Sequence, residues 1–63
     1  MYVIVAKFDG GHRLYFEGGE PDAFTGAIDR AQRFEDDGEA ARIARTLHTP
    51  TVALPQSIYV EAL

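Results

Sequence analysis

Apolar and polar positions change their spacing several times along this chain, and each change marks an element. Residues 2–8 read Tyr-Val-Ile-Val-Ala-Lys-Phe, β-branched and aromatic with apolar side chains at odd and even positions alike. That is the pattern of a central strand buried on both faces. Asp9-Gly10-Gly11-His12 follows, and paired glycines supply the positive φ that a hairpin turn requires. Residues 13–17 alternate, with Leu14 and Phe16 on one face and Arg13, Tyr15 and Glu17 on the other. An antiparallel hairpin turning at 9–12 is therefore expected.

Gly18-Gly19-Glu20-Pro21-Asp22 closes the second strand and opens a loop. Residues 23–34 are ambiguous. Phe24, Ile28, Ala31 and Phe34 recur at helical spacing, but Gly26 weakens a helix that Thr25 would cap. The expectation is a loop with one helical turn and then a short extended piece near 31–34. Asp36-Asp37-Gly38-Glu39 reads as a helix N-terminus, with Asp36 as N-cap and Glu39 at the third helical position of a capping box. Acidic groups also suit the positive end of the helix dipole. Ala40, Ile43, Ala44 and Leu47 make one apolar stripe, and Thr49-Pro50 stops a helix spanning roughly 37–48. Thr51–Leu54 and Ser57–Ala62 read as extended, with Pro55 between them.

The predicted order is β-β-(short β)-α-β. This is an α+β fold, a small and mostly antiparallel sheet with one helix packed on one face. Phe8, Leu14, Phe16, Phe34, Ile43 and Leu47 are assigned to the core. One helix covers one sheet face only. The other, carrying some of Tyr2, Val3, Val5, Tyr15 and Tyr59, is either open as an interface or covered by the loop 18–34.

The 63 residues make one domain, 1–63, with a thin core. Small scaffolds lean on disulfides, a metal or a partner subunit. The absence of cysteine excludes disulfides and thiolate metal sites. Two histidines do not close a structural zinc site alone. Self-association as a homodimer, or partner binding, is the remaining support. No apolar run approaches the roughly 20 residues of a membrane-spanning helix. The apolar start lacks a basic leading segment and a cleavage site, so a complete chain in the cytoplasm is expected.

The net charge of −4 disfavours direct nucleic-acid binding and favours a basic partner surface. Ser57 is the only serine, with nothing around it resembling a nucleophile elbow. His12 in a turn and His48 at a helix end need no catalytic role. Gly10-Gly11 and Gly18-Gly19 bracket a hairpin strand instead of opening a helix, so they are not a phosphate loop. Neither a catalytic residue nor a cofactor is predicted. The candidate binding residues are acidic. Glu35, Asp36, Asp37 and Glu39 put four carboxylates in five positions, with Asp29 nearby, and Glu17, Glu20 and Asp22 form a second group. Their bland role is capping and solvation; their functional role is to dock on arginines and lysines of a partner. Four of the six basic residues, Arg30, Arg33, Arg42 and Arg45, share that stretch. Asp29–Arg33 and Glu39–Arg42 are candidate local pairs.

Tyr2-Val3-Ile4, Asp9-Gly10-Gly11, Leu14-Tyr15-Phe16, Ala31-Gln32-Arg33-Phe34 and Glu39-Ala40 together resemble small proteins of phages and other mobile elements. The resemblance covers roughly residues 2–47, and its motifs are structural. Some small acidic phage proteins of this size are anti-CRISPR inhibitors, several of which act as DNA mimics. The resemblance implies a non-enzymatic inhibitor bound to a nucleic-acid-binding CRISPR effector subunit. The opening strand, Asp-Gly turn, aromatic strand and Glu-Ala helix also resemble HicB-type antitoxins, without their Pro-Gly-Cys segment or DNA-binding tail. That implies an antitoxin bound to a small toxin. A third reading is a subunit of an oligomeric small-molecule-binding or enzymatic assembly, with a site between chains built from Tyr15, Tyr59, His12 and arginines.

Overall fold

The computed structural model describes residues 1–18, 23–47 and 57–63. Four strands and one helix follow in the order β1 (Tyr2–Lys7), β2 (Arg13–Gly18), β3 (Ala23–Thr25), α1 (Asp37–Ala44) and β4 (Ser57–Ala62). The sheet runs β3-β2-β1-β4 and every pairing is antiparallel. This is the expected α+β fold with its helix on one face.

β1 is central because its sequence leaves it no exposed side. Val3, Ile4, Val5 and Ala6 are all fully buried. The β1–β2 hairpin turns at Asp9–Gly11, where Gly10 (φ 84°) and Gly11 (φ 85°) take the left-handed conformations expected of them. Phe8 N–H donates to His12 C=O at 2.8 Å and closes the turn.

Even-numbered side chains of β1 face α1. Ile4 joins Phe16, Phe34, Ala40 and Leu47 in the larger core cluster, with Tyr2, Phe24, Ile43, Ala44, Ile58 and Val60 packed around it. Phe16 and Phe24 meet edge to face, ring centres 5.9 Å apart. Of the expected core residues, Phe16, Phe34 and Leu47 are buried and Ile43 is half-buried against them. Phe8 and Leu14 are half-buried and join neither cluster. Tyr2 belongs to the helix side, because strand parity puts it with Ile4 and not with Val3.

The ambiguous stretch resolves into three pieces. Ala23–Thr25 pairs with β2, a strand that helical spacing concealed. Ile28–Arg30 makes the single helical turn, and Phe34 supplies the extended piece by bridging Tyr2. Tyr2 and Phe34 exchange both backbone hydrogen bonds at 2.8 Å, and Gln32 N–H donates to Phe16 C=O at 2.9 Å. Residues 32–34 are thus bonded to both β1 and β2, beyond the Val5–Tyr15 pair at which those two strands part. Ala31, 8% exposed, packs against Val3 and Val5, with Tyr15 and Tyr59 alongside. The second face is therefore covered in part by this loop.

α1 begins where expected. Asp36 is extended (φ −114°, ψ 122°), and its Oδ1 accepts from Gly38 N–H at 3.0 Å. The bond reaches the second helical residue, so the cap is an Asp cap and not the expected box with Glu39. The helix ends at Ala44, short of the expected 48. Thr46 N–H and its hydroxyl both bond to Ile43 C=O, at 3.0 and 2.9 Å. That tightened last turn swings Leu47 into the core. The expectations for His48, the stop at Thr49-Pro50, the extended piece Thr51–Leu54 and Pro55 lie outside the described residues.

Candidate protein-binding surface

The acidic residues expected to bind a partner fall into two groups that do not merge. Phe34 is pinned to β1 and Asp36 caps α1, so Glu35, Asp36, Asp37 and Glu39 are held together at the N-terminal end of α1. All four are exposed. Asp36 spends one oxygen on the cap, and Asp37 and Glu39 lie in the first turn beside unpaired N–H groups. None of the four forms an ion pair with a described residue. Arg42 and Arg45 sit near the other end of the helix, so α1 presents a negative end and a positive end.

Glu17 behaves differently. It is half-buried, and its carboxylate lies 3.5 Å from Arg30. That pair belongs to the segment leading into Ala31, which packs on the face away from α1. Asp29 is exposed in the same turn. Glu20 and Asp22 lie outside the described residues. Neither expected local pair forms. Asp29 and Arg33 are not on one helix, because the chain is extended again at Ala31 (φ −68°, ψ 144°). Glu39 and Arg42 share α1 but stay apart, as exposed side chains with little to gain from pairing commonly do.

The structure reveals one polar cluster that reading along the chain missed. Arg13 reaches across β1 to β4, its Nη2 donating to both Glu61 carboxylate oxygens at 2.9 and 3.0 Å and to the Tyr59 hydroxyl at 3.0 Å. Hydrogen bonding to Glu61 first, then to Tyr59, raises the guanidinium pKa above its ordinary value. Tyr15 and Tyr59 flank Val5 from its two neighbouring strands. The shared odd parity of Arg13, Tyr15, Tyr59 and Glu61 was readable; that β4 lies two strands from β2 was not. His12 is exposed in its turn.

An open groove of about 230 Å³ runs between α1 and β4, lined by Ala41, Ala44, Arg45, Ile58, Tyr59 and Val60. It is smaller than the roughly 300–1,000 Å³ typical of small-molecule sites. Among the described residues no group of three or more His, Asp or Glu is placed to hold a metal ion. No helix among them is long and apolar enough to cross a membrane. The chain matches no protein-family model, no curated protein and no solved structure.

Proposed function

We propose that this domain binds a basic protein surface through the acidic end of α1. The observation that carries the reading is the state of the carboxylates. Glu35, Asp37 and Glu39 are exposed and form no ion pair with a described residue, while two arginines of the chain are engaged elsewhere, Arg30 with Glu17 and Arg13 with Glu61. Carboxylates so held offer a partner's lysines and arginines a local negative field, which speeds encounter and selects against acidic surfaces. A nucleic-acid-binding protein presents such a basic surface. The resemblance to small phage proteins extends the proposal to an inhibitor that takes the place of nucleic acid on its target, in the manner of an anti-CRISPR DNA mimic.

The test is affinity capture from bacterial lysate at low and high salt, with the parent chain and with a Glu35→Lys/Asp37→Lys/Glu39→Lys variant. All three positions are exposed, but lysines in the first turn oppose the helix dipole, so the variant's fold is checked by circular dichroism and a charge-neutral Glu35→Gln/Asp37→Asn/Glu39→Gln variant is run beside it. The expected result is a nucleic-acid-binding protein held at low salt, released at high salt, displaced by added duplex and lost in the variant. Equal capture by parent and variant, or capture indifferent to salt, would refute the reading.

A further inference from the structure

The sheet face turned away from α1 carries the odd-numbered residues of β1, and two of them are apolar and fully buried. Val3 and Val5 group there with Ala31 and with the half-buried Tyr15 and Tyr59. Lys7, the next residue on that face, is exposed. Tyr15 stands opposite Val5 on β2, and Tyr59 stands opposite it on β4. The two tyrosines therefore wall Val5 on its sides. A strand side chain projects roughly perpendicular to its sheet, so full burial of Val5 also calls for a cover above it.

The registers place one group there. Arg13 stands opposite Lys7 on β2, and Glu61 stands opposite Val3 on β4. Their strands flank β1 and lie roughly 10 Å apart across it. Lys7, Val5 and Val3 follow one another along the same face of β1. The diagonal from Arg13 to Glu61 therefore crosses β1 at Val5. Arg13 makes that crossing, since its Nη2 donates to both Glu61 oxygens at 2.9 and 3.0 Å and to the Tyr59 hydroxyl at 3.0 Å. An arginine so placed lays its apolar stem along apolar surface and keeps its charged head in water.

We infer that Arg13 is a releasable strap over the second apolar cluster, laid across Val5 and fastened to β4 by Glu61 and Tyr59. An exposed ion pair contributes little stability by itself, and this one is open to solvent, its side chains 39% and 38% exposed. Its consequence is positional. Two acceptors on one strand fix the guanidinium, and the stem is held where it shields Val5. The same exposure makes the fastening easy to undo. Removing the Glu61 carboxylate takes away two of the three bonds, and the freed stem uncovers Val5 between two tyrosine rings. The strap uses none of Glu35, Asp37 and Glu39, so it is a device separate from the acidic end of α1.

Methyl NMR of the full chain with a soluble gadolinium chelate tests this, because the chelate relaxes methyls that solvent can reach. The readout is Val5, since Glu61 stands beside Val3 itself. In the parent chain the Val5 methyls should be protected and show nuclear Overhauser contacts to the Arg13 methylenes. Arg13→Ala and Glu61→Ala should each raise the relaxation of the Val5 methyls several-fold. The double variant should go no further than Arg13→Ala alone, because both changes undo one strap. Amide shifts of β1 and β4 report whether each variant keeps its sheet. Val5 methyls as protected in either single variant as in the parent, or additive effects in the double variant, would overturn the inference. So would a parent chain without Arg13–Val5 contacts, a measurement that needs no variant to fold.

Discussion

Phe34→Ala is the substitution that asks most of the fold. Phe34 is 3% exposed and lies in the core cluster with Ile4, Phe16, Ala40 and Leu47. Its backbone also makes the two 2.8 Å bonds to Tyr2 that hold residues 31–34 against β1. Truncating a buried phenylalanine costs about 3–5 kcal/mol, the transfer term plus the cavity left behind. A native domain carries roughly 0.05–0.15 kcal/mol per residue, or about 3–9 kcal/mol for a chain of this length. The loss thus removes a third or more of the stability and at the low end all of it. Urea unfolding by circular dichroism, at one fixed protein concentration, reads the change directly. Phe34→Leu keeps most of the volume, should cost about 1–2 kcal/mol, and separates lost packing from lost folding. Ile28→Ala, at a residue 42% exposed, should change stability by no more than about 0.5 kcal/mol. A Phe34→Ala chain within about 1 kcal/mol of its parent would refute the placement of residues 31–34 in the sheet and core.

Two smaller predictions probe local geometry. Asp36→Ala should lower stability by about 0.5–2 kcal/mol by removing the acceptor for Gly38 N–H, while Asp36→Ser retains most of it; thermal melts of the pair decide. Gly18→Ala should cost about 1–3 kcal/mol, because φ is 99° and the new Cβ would lie 2.6 Å from the Gln32 side-chain oxygen. Gly26→Ala meets no atom within 4 Å and is the control, expected to be neutral or slightly stabilising in the same unfolding assay.

Local chemistry was legible wherever neighbours in sequence decide it. The doubly apolar run 2–8 announced a central strand, the glycines at 10 and 11 announced their turn, Asp36 announced its cap, and the alternation in 57–62 announced β4. Each depends on parity, on φ or on a side chain bonding two residues away. The acidic group at 35–39 was legible for the same reason, since a cap and a first helical turn keep consecutive residues together. Residues 23–34 were not legible. Phe24, Ile28, Ala31 and Phe34 carry helical spacing, yet three are claimed by different neighbours, Phe24 by Phe16, Ala31 by Val3 and Val5, and Phe34 by Tyr2, while Ile28 is exposed. Helical periodicity signals a helix only when one surface receives the whole stripe, and here the two faces of the sheet divide it. The partnership of Arg13 with Tyr59 and Glu61 needed the strand order, which places residues 46 and 48 positions apart within hydrogen-bonding distance. The sequence by itself determined the class of fold, its turns and caps, and the acidic end of its helix. The tertiary structure alone decided that Glu17 and Glu61 are the carboxylates paired with arginines among the described residues, because those contacts join elements far apart in sequence.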